Sequence, residues 1–251
     1  MFKSASPLNE VSPKNLTIWA VMAFQAGAIN VGGLLACHKF VTHTTGFATQ
    51  FAVESARGHF NLSLGLLSVP LFFLFGSFLS ALFVDIRLQK KQIPFYFLIF
   101  GLMSFILGVI SLAGTSGLFG TFGSPLELSV DYYLVSTLAL TAGLQNATIT
   151  SAFNSVVRTT HLTGLTTDLG IGLARIFKKT HLKNSKSQEM KANLTRIMII
   201  FSFICGSGLT ASIFLNFEYL GFFIPASIAF VLFLISLKDY LLAARKQAVQ
   251  L

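Results

Sequence analysis

The most regular feature of the chain is a series of long apolar stretches that contain no charged residue. A helix needs about 20 apolar residues to cross the hydrocarbon core of a bilayer, so each stretch of that length predicts a membrane span. Six are found, and they cover Leu16–Ala36, Leu62–Val84, Ile93–Ala113, Tyr132–Phe153, Ile197–Phe217 and Leu220–Leu237. The pattern predicts an all-α, polytopic membrane protein with six transmembrane helices.

The composition agrees with this interpretation and excludes a soluble globular enzyme. Of the 251 residues, 53% are hydrophobic and only 11% are charged, whereas soluble domains carry about 25% charged residues. The net charge of +9 comes from basic residues between the spans, so no nucleic-acid partner is expected. The two cysteines, Cys37 and Cys205, are embedded in apolar sequence. They are predicted to be membrane-buried thiols, and no metal or other cofactor is expected.

The distribution of positive charge predicts the orientation. With a cytoplasmic N-terminus, 16 of the 18 Lys and Arg residues lie on the cytoplasmic side and only Lys39 and Arg57 lie outside, as the positive-inside rule requires. Residues 1–15 and 241–251 are then cytoplasmic tails, and no cleaved signal peptide is expected. Eight spans remain an alternative, which places Arg87, Lys90 and Lys91 outside.

Two polar motifs occur twice in the chain. Residues 42–57 and 160–175 are identical at seven of 16 positions, beginning with THxTG, and the motif AGxxN at 26–30 recurs at 142–146. Each half, 16–119 and 120–240, therefore has one span with AGxxN, one THxTG segment and two further spans. Because three spans is an odd number, the halves are predicted to be inverted repeats, a construction common in secondary transporters.

The THxTG segments are too short to span a bilayer but long enough for a helix of about four turns. In the first copy Phe47 and Phe51 fall on an apolar face, opposite a stripe that ends at Arg57. Such a helix either lies flat at the membrane interface or follows a re-entrant segment, and both interpretations remain open.

Re-entrant segments would bring the two helix N-termini together near the midplane. Helix N-termini favour anions and polar acceptor groups, and histidine can carry a coupling proton. The residues predicted to bind solute are His43, Thr45, Asn30, His161, Thr163 and Asn146. The residues predicted to form a gate or ion pair are Arg158, Asp168, Arg175 and Arg57, with Arg158 and Asp168 as partners.

The blocks AGAIN, FVTHTTG and GLQNATITSAFNSVVRTTHLTGLTTDLG resemble the YoaK-like family of bacterial multi-pass membrane proteins, a domain of unknown function. The resemblance covers roughly residues 15 to 240. It implies a bacterial cytoplasmic membrane and about six spans, and it carries no substrate or reaction. The first block departs from the family pattern, because Phe47 follows THxTG where the family commonly has Asn.

Three functions are compatible with these features. The leading hypothesis is a non-enzymatic transporter or channel for a small polar or anionic solute. The alternatives are a non-transporting membrane protein that binds a partner or lipid through the basic segment Lys178–Lys191, and an intramembrane metal enzyme that uses His43, His161 and Asp168. The expected partners are the lipid bilayer and the solute. Small residues such as Gly27 allow close helix contacts within or between chains, so a homo-oligomer remains open.

Overall fold

The computed structural model describes residues 13–124, 129–152, 162–178 and 186–249, which form helices and connecting turns without a strand. The helices are α1 (Pro13–Cys37), α2 (Thr44–Ala56), α3 (Phe60–Ser80), α4 (Ile86–Gln89), α5 (Tyr96–Thr115), α6 (Ser129–Ala152), α7 (Leu162–Lys178), α8 (Lys186–Phe217) and α9 (Phe223–Val249). A π-helical turn at Ala81–Asp85 joins α3 to α4, and a 3₁₀ turn at Glu218–Phe222 joins α8 to α9.

Four helical segments of the described chain are long and apolar enough to cross a membrane. They are Asn15–Cys37, Phe60–Gln89, Tyr96–Thr115 and Lys186–Gln247. Large apolar side chains such as Phe75, Phe105 and Phe201 point away from the protein interior, and apolar surface of this extent is typical of contact with lipid. The prediction of an all-α membrane protein is confirmed at this level.

The apolar pattern locates the helices well but not their ends. Helix α8 has 32 residues, or about 48 Å, and begins at Lys186 rather than at the predicted Ile197. Likewise, α9 continues to Val249 rather than ending at Leu237. Both extensions carry charged residues, which a helix tolerates beyond the hydrocarbon layer, so a search for uncharged stretches cannot detect them.

A close crossing joins α1 to α8 through glycines on both helices. A Cβ atom at Gly27 would overlap the carbonyl of Phe203, and one at Gly206 would overlap the carbonyl of Phe24. The hydroxyl of Ser207 donates a hydrogen bond of 3.1 Å to the carbonyl of Gly27. Glycine at these positions therefore lets the two backbones come into direct contact.

The α3–α6 crossing repeats this arrangement with different residues. A Cβ atom at Gly143 would overlap the carbonyl of Phe73, and one at Gly76 would overlap the carbonyl of Leu140. The hydroxyl of Ser77 lies 3.3 Å from the carbonyl of Gly143 and donates to it. The glycine of each AGxxN motif thus serves helix packing.

The third close pair is α5 and α9, which run antiparallel. The ring of Phe97, near the start of α5, lies 5.0 Å from the ring of Tyr240, late in α9, and Ser104, further along α5, donates to the carbonyl of the earlier Ala226 at 3.0 Å. The opposite order of the two contacts establishes the antiparallel direction. The three pairs together bury an apolar core that includes Trp19, Phe100, Leu138 and Phe214.

Candidate functional site

The chain turns back on itself directly after α1. His38 adopts a left-handed conformation with φ +54°, which ends the helix. Four residues later, the Thr42 hydroxyl donates to Oδ1 of Asn30 at 2.9 Å, and the Thr42 backbone N–H points to the same oxygen at 3.4 Å. Asn30 precedes the end of α1 by two helical turns, so the chain has returned along α1 by about 10 Å. Two residues of the predicted site region, Asn30 and Thr42, are in direct contact.

Helix α2 starts from this buried position and packs on α3. His43 is its N-cap residue, and the side chains of His43 and Thr45 are exposed. Phe47 is the buried residue of α2, so an apolar anchor holds the helix while its polar first turn stays accessible.

An open pocket of about 180 Å³ lies at the start of α2, and we call it the α2 pocket. Its lining residues are His38, Lys39, Phe40, His43, Gly46, Phe47 and Gln50. Within it, Lys39 Nζ donates to Gln50 Oε1 at 2.8 Å, and the rings of Phe40 and His43 meet edge to face at 5.8 Å. No carboxylate is among these lining residues, so the pocket is suited to an anion.

The second THxTG copy is described only from Leu162 onward. His161 and Arg158 lie outside the described residues, so the predicted meeting of His43 with His161 and the predicted Arg158–Asp168 pair stay predictions. Thr163 and Asp168 are exposed on α7, and Asn146 is half-buried on α6.

Arg175, one of the predicted gate or ion-pair residues, forms an ion pair with a partner that the sequence did not predict. Its partner is Glu189 on α8, at 3.6 Å, and the side chain of Glu189 is only 4% exposed. Arg196 reaches the other oxygen of Glu189 at 3.2 Å and also donates to Asn193. Gly172 of α7 packs directly on this cluster. A usable sequence signal existed, because Glu189 is the only acidic residue between Asp168 and Glu218.

Arg57 forms a different kind of pair at the end of α2. Arg57 is the C-cap residue of α2, and its guanidinium donates to Glu54 in the last turn of this helix at 2.8 Å. His59 Nδ1 donates to the second oxygen of Glu54 at 2.8 Å. The hydrogen bond from His59, followed by the charge of Arg57, holds the pKa of the Glu54 carboxyl below its ordinary value. The carboxylate is thus stabilised in its charged form.

Two buried glutamines connect α1, α6 and α9, and sequence reasoning missed both. Gln25 Nε2 donates to the carbonyl of Pro225 at 2.8 Å, and Gln145 Nε2 donates to the carbonyl of Met22 at 2.7 Å. Neither side chain reaches the surface. Their presence in otherwise apolar spans was the available signal, since an amide in such surroundings requires hydrogen-bond partners.

A larger open groove of about 510 Å³ lies between the first turns of α3 and the start of α6. It is lined by Asn61, Leu62, Gly65, Ser68, Phe72, Tyr132, Tyr133, Ser136 and Thr137. Ser68 and Ser136 are joined by a hydrogen bond of 2.8 Å across it. This groove was not predicted, and it contains no charged residue.

The alternative of a metal enzyme can be examined for the described part of the chain. There, no three His, Cys, Asp or Glu side chains come together as a metal site, while His161 lies outside that part. Cys37 is buried and donates from Sγ to the Gly33 carbonyl at 3.0 Å, and Cys205 is half-buried.

Comparison with known proteins identifies one family. The family model described as "Protein of unknown function (DUF1275)" matches residues 18–235, which is most of the chain. The resemblance to YoaK-like proteins is consistent with this match. Neither a curated protein nor a solved structure matches the chain.

Proposed function

The chain belongs to the DUF1275 family, and from its geometry we propose that it is a non-enzymatic membrane transporter or channel for a small polar or anionic solute. The observation that carries the proposal is the return of the chain from Cys37 to Asn30. Because of this return, a polar pocket lies beside the apolar helices. The pocket is formed by the turn of the chain and the start of α2, so no membrane-spanning helix has to be polar. Polar groups within a membrane are costly, and they commonly mark solute pathways.

The architecture in this proposal is six spans in two inverted repeats. Helix α6 adds one span to the four apolar segments, and division of the last segment at Glu218 adds another. If the halves are exchanged, α1 corresponds to α6 and α8 corresponds to α3, so the α1–α8 pair becomes the α6–α3 pair. The hydrogen bond from Ser207 to Gly27 then corresponds to the one from Ser77 to Gly143. The same exchange maps α5 onto α9. Because α5 and α9 are antiparallel, the axis lies across the helices, as inverted repeats require.

The proposed location is the bacterial cytoplasmic membrane with both termini in the cytoplasm. The support is the positive-inside rule, under which the basic α7–α8 region faces the cytoplasm and Lys39 and Arg57 face outside. The α2 pocket then opens toward the external solution, where it would receive a solute.

The anionic class of solute follows from the chemistry of the α2 pocket. Lys39 supplies a fixed positive charge, and the imidazole rings of His38 and His43 line the same pocket. The N-terminus of the 13-residue α2 adds a partial positive charge directed at the same space. In the second half, the solute pathway is proposed to involve His161 and Thr163, with Asn146 on the span before them.

The test combines a stability screen with flux measurements. Formate, acetate, inorganic phosphate and small metabolite anions are screened for their effect on the melting temperature of the purified protein, because a ligand of the native state stabilises it. Any stabilising anion is then followed into proteoliposomes. We expect His43→Gln to abolish both responses and His59→Gln, which alters a histidine outside the pocket, to keep them. Uptake no faster than in protein-free liposomes for every anion would refute the function.

A second candidate function has one specific observation in its favour. On α7, Phe177 is 88% exposed beside Arg175 and Lys178, a combination typical of helices that bind an anionic membrane surface. In this alternative the α7–α8 region binds anionic lipid and the chain transports nothing. The two functions are distinguished by the melting temperature of the protein in vesicles with and without anionic lipid. Only the lipid-binding function predicts that anionic headgroups are needed to raise it.

A further inference from the structure

A chain of hydrogen bonds runs from α1 to the α2 pocket and fixes where the hydrogens lie. The Thr42 backbone N–H and the Thr42 hydroxyl both approach the same side-chain atom of Asn30, at 3.4 Å and 2.9 Å. A backbone N–H can only donate, so this atom is the amide oxygen of Asn30. The hydroxyl of Thr42, which has one hydrogen, therefore donates it to Asn30.

This assignment determines the tautomer of His43. Its Nδ1 lies 3.3 Å from the hydroxyl oxygen of Thr42. Since that hydroxyl hydrogen is already directed to Asn30, the oxygen can only accept, and Nδ1 of His43 must carry the hydrogen. In the neutral ring, Nε2 then has a free lone pair. Nε2 is the nitrogen that can take a proton as a solute arrives.

We propose that His43 couples binding of a small anion in the α2 pocket to uptake of one proton at Nε2. The proton comes from the external solution and adds to the Nε2 lone pair, which gives an imidazolium with N–H on both nitrogens. The bound monoanion balances the new charge, so protein and solute together gain no net charge. The inference rests on the proposed anion pathway and specifies its coupling ion.

In the part of the chain that the structure describes, no carboxylate lines the pocket around His43 to balance an imidazolium. The acidic residue of α2, Glu54, is already paired with Arg57 and His59. The ionisable groups that share the pocket are His38 and Lys39, and Gln50 is neutral. Helix α1 has no charged residue from Asn15 to Cys37, and α3, which packs on α2, has none from Phe60 through the π-helical turn to Val84. Protonation of His43 is thus favoured by an anion in the pocket rather than by a carboxylate of these helices.

His38 provides an internal control with the opposite tautomer. One of its ring nitrogens, Nε2, lies 2.8 Å from the carbonyl of Gly123. A carbonyl oxygen only accepts, so this Nε2 carries a hydrogen. One spectrum should therefore contain two neighbouring histidines in opposite neutral forms.

The first arm of the experiment is NMR of the full-length protein with ¹⁵N-labelled histidine, in lipid nanodiscs at alkaline pH. Single His→Gln variants assign the signals. We expect hydrogen on Nδ1 of His43 and on Nε2 of His38, and we expect Thr42→Val to shift His43 toward the Nε2–H form. A wild-type His43 with hydrogen on Nε2 would overturn the proposal, whatever the result for Thr42→Val.

The second arm titrates the same histidine signals with pH in the presence of formate, acetate or inorganic phosphate. The midpoint for His43 should rise saturably with at least one probe, by about one pH unit if the protonated form binds that anion tenfold more tightly. His59 should not respond, and Lys39→Met should weaken the effect. Absence of a shift with all three probes overturns the inference. A shift without flux in proteoliposomes supports the inference and refutes the transport function alone.

Discussion

The ends of α2 and α7 occupy equivalent positions of the sequence repeat but are held in different ways. At the α2–α3 corner, Glu54 on α2 binds Arg57, the C-cap residue of this helix, and the Glu54 side chain is 16% exposed. At the α7–α8 corner, Gly172 stands where the first copy has Glu54. The carboxylate comes instead from Glu189 of α8, which is 4% exposed and reaches Arg175.

The difference shows that both copies of a repeat can keep a carboxylate beside the arginine although the carboxylate comes from different helices. In both copies of the repeat the last residue, Arg57 or Arg175, has a carboxylate partner, but only the pair of Arg175 with Glu189 joins two helices. Because Gly172 has no side chain, Glu189 and Asn193 come into contact with the α7 backbone. The second corner is therefore tied across helices by a buried cluster, whereas the first holds a local pair and leaves α2 anchored by Phe47.

The largest expected effect comes from filling the space at Gly172. In Gly172→Leu, the first side-chain atom alone would overlap Asn193 and lie 2.7 Å from Glu189. We expect a loss of up to about 3 kcal/mol and release of α7 from α8, because the side chains that would have to move belong to a buried ion pair. Gly170→Leu on the same helix is the control, because nothing lies within 4 Å of the position that its Cβ atom would take. Equal melting temperatures for the two variants would contradict the proposed role of the cluster.

Removal of the carboxylates should have a smaller and unequal effect. Glu189→Gln leaves Arg175 and Arg196 together without their shared counter-charge, which we expect to cost about 2 kcal/mol. Glu54→Gln should change the melting temperature less, since its partners are largely exposed and solvent screens the pair. Thermal denaturation of both variants at low and high salt tests this. A larger loss for Glu54→Gln would reverse the comparison.

The smallest effect is a pH dependence at the first corner. Because the pKa of Glu54 is lowered from 4.5 in the folded protein, its stabilising effect is present above that pH. The effect is lost as the pH falls through the lower folded value. The difference in melting temperature between wild type and Glu54→Gln should therefore shrink on acidification below pH 4.5. A difference that stays constant down to about pH 3 would show that Glu54 acts through packing instead.

The helices could be predicted from the sequence because the bilayer imposes a simple rule on composition. A long uncharged stretch such as Tyr96–Thr115 can hardly be anything but a buried or lipid-facing helix. The rule fails where a helix leaves the apolar layer, as α8 does between Lys186 and Arg196. The rule also could not show that the glycine of AGxxN lies at a close helix crossing, because its contacts Ser207 and Phe203 are far from Gly27 in sequence.

Part of the candidate site was also predictable. The repeated THxTG motif identified His43, and the spacing from AGxxN drew attention to Asn30. The contact of Asn30 with Thr42 depends on how sharply the chain turns after Cys37, and no local pattern specifies that angle. The partners of Arg175 and Gln145 lie on other helices, so only the assembled bundle could identify them.

The sequence by itself determined that this protein is helical, contains apolar helices long enough to span a membrane and carries two polar motifs twice. These properties depend on the composition of each segment and on the comparison of one segment with another, and neither requires knowledge of which residues touch. The tertiary structure decided which helices touch, which acid neutralises Arg175 and which backbone carbonyls the buried Gln25 and Gln145 bind. These properties depend on distances of a few ångströms between residues far apart in the chain, and only packing of the whole bundle sets such distances.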